Sequence, residues 1–142
     1  MIDLKFGTDH LDWGEVCEVL ERAPLGKREP ESLQKAAENS YVVCSAHKDG
    51  SIIGFGRALS DGVYQSAIYD IVVLPEHQGL GIGKAIVKAL LSRLPQGSGP
   101  VLIYVVPGKE GFYKKLGFET LLTGMGLFWF PDEARKKKLI PY

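Results

Sequence analysis

The sequence predicts a single α/β domain of the mixed (α+β) kind over residues 1–142. It has a central, mostly antiparallel sheet of six to seven strands flanked by about four helices. Three observations predict it. Residues 41–74 hold three apolar runs parted by the turns Asp49-Gly50 and Ser60-Asp61-Gly62, the pattern of an antiparallel meander. Segments with helical spacing stand before and after that meander. Between the run 64–74 and the buried run V-L-I-Y-V-V (101–106) lies one such helix, and a strand–helix–strand crossover makes one pair locally parallel.

The elements follow in order. Residues 2–6 alternate as a first strand. Asp9 or Asp12 caps a helix over 12–22, with Trp13, Val16, Cys17 and Leu20 on one face, and Pro24 ends it. L-G-K-R-E-P (25–30) is a polar loop. A short helix fits 31–39, with Leu33, Ala36 and Ala37 inward. The strands 41–47, 51–59 and 64–74 come next, then a helix over about 81–94. P-Q-G-S-G-P (95–100) is a loop before the strand 101–106. Pro107-Gly108 breaks that strand. K-E-G-F-Y-K-K-L (109–116) is a short helix stopped by Gly117. F-E-T-L-L and G-M-G-L-F-W-F read as two last strands, and the basic run Arg135 to Lys138 as a solvated tail.

Composition excludes several classes. The apolar share is 45% and the charged share 24%, both globular values, and 142 residues suffice for a real core. Lys+Arg and Asp+Glu number 17 each, so no global charge favours nucleic acid or an anionic membrane. No apolar run approaches the roughly 18 residues of a membrane span. M-I-D-L-K-F lacks the features of a signal peptide. Cys17 and Cys44 show no metal-ligand spacing and read as free buried thiols. The expectation is a reduced, cytoplasmic protein without a metal.

The stretch Y-D-I-V-V-L-P-E-H-Q-G-L-G-I-G-K (69–84) carries the functional signal. An apolar strand stops at Pro75, and Gly79, Gly81 and Gly83 open the helix that follows. A helix start offers unpaired N–H groups and a positive dipole end, and glycines admit an anion without a Cβ in the way. A Walker loop does not fit: Lys84 is followed by Ala85, and Gln78 stands where its first glycine belongs. The dinucleotide fingerprint does not fit either, because the third glycine comes one residue early and the first lies four residues past the strand. Q/R-x-x-G-x-G/A is met by Gln78, Gly81 and Gly83. Asp70 is the only acid in the run A-I-Y-D-I-V-V-L. Alternation puts it on one face with Ile68 and Val72, where desolvation would raise its pKa toward a base's range unless it pairs with a cation such as Arg57.

That pattern, after a strand ending in V-x-P, resembles the acetyl-CoA site of the GCN5-related N-acetyltransferase (GNAT) superfamily. F-Y-K-K-L-G-F (112–118) matches a second element of the superfamily, F/L-Y-x-x-x-G-F. Together with G-M-x-x-F-W, the acyl-CoA half is similar to the plant and cyanobacterial serotonin (arylalkylamine) N-acetyltransferases. The resemblance implies acetyl-CoA as co-substrate. Its pantetheine would pair with the backbone of Ile71, Val72 and Val73, an N–H near Val72 would meet the oxyanion, and the diphosphate would meet Gly79, Leu80, Gly81, Ile82, Gly83 and Lys84. Gln78 and Phe112 belong to the same cofactor-binding set. Tyr113 stands in the general-acid position and Asp70 in that of an acidic base. His47, His77 and Glu110 are lesser candidates, and Cys44 as an acyl carrier is the least.

The expected reaction is direct attack of a primary amine on acetyl-CoA in a ternary complex. A small aromatic alkylamine is the first acceptor class; a polyamine, amino acid or protein N-terminus is left open. A catalytically silent acyl-CoA sensor is the alternative. Phe128, Trp129, Phe130 and the loop 24–30 either line the acceptor pocket or, on the favoured reading of the aromatic tail, make core and homodimer contacts.

Overall fold

The computed structural model describes residues 1–142, which fall into two compact units, Met1–Ile103 and Tyr104–Tyr142. The first unit holds β1 (Asp3–Phe6), α1 (Trp13–Arg22), α2 (Pro30–Glu38), β2 (Val42–Lys48), β3 (Ser51–Ser60), β4 (Ser66–Val73), a 3₁₀ turn at Pro75–His77, α3 (Ile82–Ser92) and β5 (Val101–Ile103). The sheet order is β1-β2-β3-β4-β5. All neighbours are antiparallel except β4 and β5, the parallel pair that the crossover requires. No helix is long and apolar enough to cross a membrane.

Local chemistry accounts for the boundaries. Asp12 caps α1 by accepting from the Glu15 N–H at 3.2 Å. Pro30 sits in the first turn of α2, where its missing N–H is harmless. Asp49 and Gly50 both have positive φ, 52° and 80°, so the two-residue hairpin takes the turn whose twist matches its strands. Residues 42–46 of β2 are all buried because helices cover both faces of the sheet centre. Phe55 of β3 is fully buried on the α1 side, edge-on to Trp13. Its neighbours Gly54 and Gly56 face α3. A Cβ at Gly54 would stand 2.9 Å from Ile86 Cδ1, and one at Gly56 would stand 2.8 Å from Ile86 Cγ2. Two glycines therefore let α3 lie directly on the strand.

The sheet has five strands, not six to seven. F-E-T-L-L and G-M-G-L-F-W-F form no strand. Alternation is not enough without a partner ladder, and Gly124 and Gly126 weaken an extended pairing. Phe128 instead folds over Gly126, leaving 2.7 Å from its Cε2 to a would-be Cβ, and meets the Tyr104 ring edge-on at 6.3 Å. Leu122, Met125, Leu127, Trp129 and Phe130 are exposed, so they are not the core contacts expected of the tail. β5 stops at Ile103, three residues short of the expected end.

The second unit holds α4 (Glu110–Lys115) and α5 (Pro131–Lys136), a fifth helix where a solvated tail was expected. Its signal is legible in retrospect. Pro131 takes the first helical position, Asp132 and Glu133 lie at the positive dipole end, Arg135 and Lys136 at the negative end, and Ala134 is buried.

Candidate active site

The end of β4 departs from a regular strand. Tyr69 pairs with Arg57 and Val72 with Phe55, so Asp70 and Ile71 together oppose Gly56 alone. This is a β-bulge, with Asp70 at φ +59°. Aspartate is among the few residues that tolerate the left-handed region, and such a bulge re-aims its side chain. The alternation read from the sequence therefore fails here, and Val72 and Val73 are both buried. Gly56 makes room, since a Cβ there would come within 2.7 Å of Ile71 Cδ1.

The bulge turns Asp70 into a nearly closed ion cluster, with its side chain only 6% exposed. Arg57 Nε donates to Oδ2 at 2.7 Å. Arg28, from the loop between α1 and α2, donates through one terminal nitrogen to Oδ2 at 3.2 Å and through the other to Oδ1 at 3.0 Å. Arg57 also donates to Ser40 Oγ at 3.3 Å and lies over the Tyr69 ring. Burial by itself pushes the Asp70 pKa up, but hydrogen bonds and charge from Arg28 and Arg57 outweigh it and leave the carboxyl below its ordinary range. The raised pKa expected from an apolar strand is thus corrected, for two cations compensate the desolvation. The sequence pointed to Arg57. It missed Arg28, 42 residues away, for which the only hint was an arginine in the loop considered as a pocket cover.

Beyond Ile68, β4 has no partner on its β5 side: the parallel ladder holds only Ser66–Val101, Ala67–Leu102 and Ile68–Ile103. Along residues 69–73, including Ile71, Val72 and Val73, alternate peptide groups face this open edge. Gln78 then fastens the strand to the glycine turn, donating its Nε2 hydrogen to the Val73 carbonyl at 3.0 Å. That contact gives Gln78 a structural role.

Gly79 and Gly81 have φ of 79° and 83°, and Gly81 is the left-handed N-cap of α3. A Cβ at either would meet nothing within 4 Å, so their hydrogens face open space. The first helical bond runs from the Ala85 N–H to the Gly81 carbonyl at 3.0 Å, and the amides of Gly79, Leu80, Gly81, Ile82, Gly83 and Lys84 have no protein acceptor. No capping side chain and no acid occupies this helix start, and Lys84 is exposed beside it. Six unpaired amides at a positive dipole end suit a diphosphate.

In the second unit, Tyr113 owes its position to the helix stop. The Phe118 N–H donates to the Tyr113 carbonyl at 3.1 Å and the Gly117 N–H to the Lys114 carbonyl at 3.0 Å, with Gly117 at φ 96°. This is a Schellman cap, and the Phe118 ring against the Tyr113 ring at 5.7 Å is its usual apolar contact. The spacing Y-x-x-x-G-F is the chemical signature of that cap. Phe112 lies edge-on to Tyr113 at 4.9 Å. Burial pushes the Tyr113 hydroxyl up to about 12, so the phenol stays protonated throughout the working range.

Two of the lesser candidates have hydrogen-bond partners of their own. His47 is half-buried on β2, two strands from β4, with Nε2 at 2.8 Å from Ser45 Oγ; burial, Lys5 and His10 lower its pKa. Glu110 accepts from the Gly108 N–H at 3.1 Å. His77 lies in the 3₁₀ turn before the glycines. Cys44 is fully buried, and its thiol is pushed up to about 11, chiefly by burial, which makes it inert as a nucleophile.

A bulged strand with one open edge, running into an amide-lined glycine turn, is the arrangement of an acetyltransferase domain. Residues 39–120 match the acetyltransferase (GNAT) domain family. The chain belongs to the GNAT acetyltransferase family. It is 37% identical over 113 residues to serotonin N-acetyltransferase 2, chloroplastic, of Oryza sativa, covering 76% of this chain and 56% of that protein. It is 34% identical over 143 residues to histone acetyltransferase TAP1 of Glycine max, covering 92% and 57%. The chain thus spans a little over half the length of these curated relatives. A solved GNAT-family acetyltransferase from Streptococcus pneumoniae superposes with a TM-score of 0.77 at 26% identity, covering 91% of this chain and 97% of that one.

These relatives also correct the expected location. The rice protein and two GCN5-related N-acetyltransferases of Arabidopsis thaliana similar to this chain are chloroplastic. The absence of signal-peptide features does not speak for the cytoplasm against a plastid.

Proposed function

We propose that the chain, acting as one functional domain, transfers an acetyl group from acetyl-CoA to a primary amine by direct attack. The amide-lined turn at Gly79–Lys84, directly after the open edge of β4, carries this reading. The diphosphate sits on the turn, pantetheine adds to the edge at Ile71, Val72 and Val73 as an extra strand, and a β4 amide near Val72 meets the oxyanion. Likeness to the rice enzyme supports a small aromatic alkylamine as acceptor, and likeness to the chloroplastic relatives supports a plastid setting.

Asp70 serves the acceptor side. With its pKa below the ordinary range it is a poor proton sink at neutral pH, so it stabilises the arriving ammonium and the proton leaves through water. The neutral amine then attacks the thioester carbonyl, the tetrahedral intermediate collapses, and Tyr113 gives its proton to the departing thiolate. A phenol raised to about 12 is a reluctant donor, but it is never lost by ionisation in the working range.

The test is thiol release from acetyl-CoA across a panel of an arylalkylamine, a polyamine, an amino acid and a peptide with a free N-terminus. Turnover is expected first with the arylalkylamine. CoA binding without amine-dependent thiol release would instead make the protein an acyl-CoA sensor. Tyr113→Phe keeps the ring that packs against Phe112 and Phe118. It is expected to lower kcat by about 10²-fold while the KM for acetyl-CoA stays within about twofold. A wild-type kcat in this variant removes Tyr113 from the reaction. The wild-type rate is also expected to show no loss from tyrosine ionisation between about pH 8 and 10.

A further inference from the structure

Two cations hold one carboxylate at the Asp70 bulge, and they are held very differently. Arg57 rises from the middle of β3, with a side chain 14% exposed, and it has two further supports in Ser40 and the Tyr69 ring. Arg28 sits on the loop after α1, with a side chain 35% exposed, and its hydrogen bonds are the two to Asp70 alone. No backbone N–H from Gly26 to Glu29 has a protein acceptor. The Arg28–Asp70 pair is therefore the only hydrogen-bonded tie between this loop and the sheet.

The oxygens are also divided unequally. Arg57 reaches Oδ2 only, whereas Oδ1 is served by Arg28 alone. If Arg28 leaves, a one-to-one ion pair with Arg57 remains and Oδ1 is open to a single cationic donor. The carboxylate stays compensated, and the site loses an excess positive charge. An ammonium group could take the place of Arg28 without a net change in charge, and the buried carboxylate keeps Arg57 as its partner throughout.

We infer that Arg28 is a displaceable stopper: its guanidinium occupies, in the free protein, the cation subsite at Asp70 Oδ1 that the acceptor's ammonium group takes over, releasing the loop 25–29. This rests on the acetyltransfer reading and deepens it. It makes the acceptor a cationic amine that enters by exchange, and it makes Arg28 the residue against which that amine competes. Arg28 is a positioning residue, not a catalytic one.

Trypsin reads the exchange directly in the full-length wild-type chain, because Lys27 and Arg28 both lie in the loop. With 2-phenylethylamine, which is an ammonium at neutral pH, cleavage there is expected to quicken by roughly threefold or more, while the neutral isostere 2-phenylethanol leaves it unchanged. Arg28→Gln removes the competitor. It is expected to lower the KM for 2-phenylethylamine by roughly three- to tenfold, with the KM for acetyl-CoA unmoved. Arg28→Lys restores the charge through one donor and should fall between. A clamp with a merely structural role gives the opposite: slower or unchanged cleavage with the amine, and a raised KM in Arg28→Gln. Acetyl transfer to 2-phenylethylamine without ammonium-dependent cleavage overturns the stopper and leaves the acetyltransferase reading intact. Ammonium-dependent cleavage without transfer to any amine does the reverse.

Discussion

Asp70→Asn is expected to cost the protein roughly 2–4 kcal/mol of stability, seen as a fall in Tm of roughly 6–12 °C. The side chain is nearly closed off, and three guanidinium hydrogens are aimed at it. An amide keeps the shape and accepts one bond, but it leaves Arg28 and Arg57 facing each other without a counter-charge. Asparagine tolerates the left-handed φ of +59° at least as well as aspartate, so the loss reports on charge, not on backbone strain. Amine-dependent kcat/KM should drop by about 10²-fold, with CoA affinity held, because the glycine turn is untouched.

The pH dependence of that loss has a definite sign. The folded-state pKa of Asp70 lies below its ordinary value of 3.8, as net result of burial raising it and the two arginines lowering it more. A depressed carboxyl contributes stability that is present above the unfolded pKa and lost as pH falls through the folded pKa. The Tm gap between wild type and Asp70→Asn is therefore expected to stay level from about pH 5 to 8 and to shrink below about pH 4. A gap that instead widens as pH falls from about 7 to 5 would mean a raised pKa and would return Asp70 to the role of general base.

Gly81→Val is expected to weaken CoA binding by tenfold or more by calorimetry, while Tm falls only a few degrees. At φ +83° and ψ 7° a β-branched residue is strained by about 1–2 kcal/mol or more. A Cβ there meets no protein atom within 4 Å, so the substitution begins in open space and not in the packed core. On the proposed reading, the added side chain intrudes on the volume that the diphosphate takes at the six free amides. Lys84→Ala should cost less, roughly threefold, because an exposed lysine adds only a screened charge. Unchanged CoA affinity in Gly81→Val would remove the turn as the cradle.

Most of the framework was legible in the sequence because it rests on local chemistry. The Asp49-Gly50 hairpin, the cap at Asp12, the stop at Gly117 and the glycine-opened α3 each follow from what one or two residues permit their own backbone to do. The parallel β4–β5 pair follows from a connection rule. The two last strands were not legible in the same way. A strand needs a neighbour as well as a pattern, and Gly124 and Gly126 withdraw the propensity that the alternation suggested. α5 is masked in the sequence by the charge of its own C-terminal turn, although Pro131 marks its start.

The sequence by itself determined the proposed donor side of this protein. Glycines with positive φ, a helix start without cap or acid, and an apolar strand before them are short-range facts, written within residues 69–84. Only the tertiary structure decided the proposed acceptor side. A bulge opposite Gly56 turned Asp70 off its expected face, and Arg28 arrived from 42 residues away to join Arg57 in lowering its pKa. The reason is physical: backbone preference acts over a few residues, whereas the state of a buried charge is set by whichever charges the fold brings within a few ångströms.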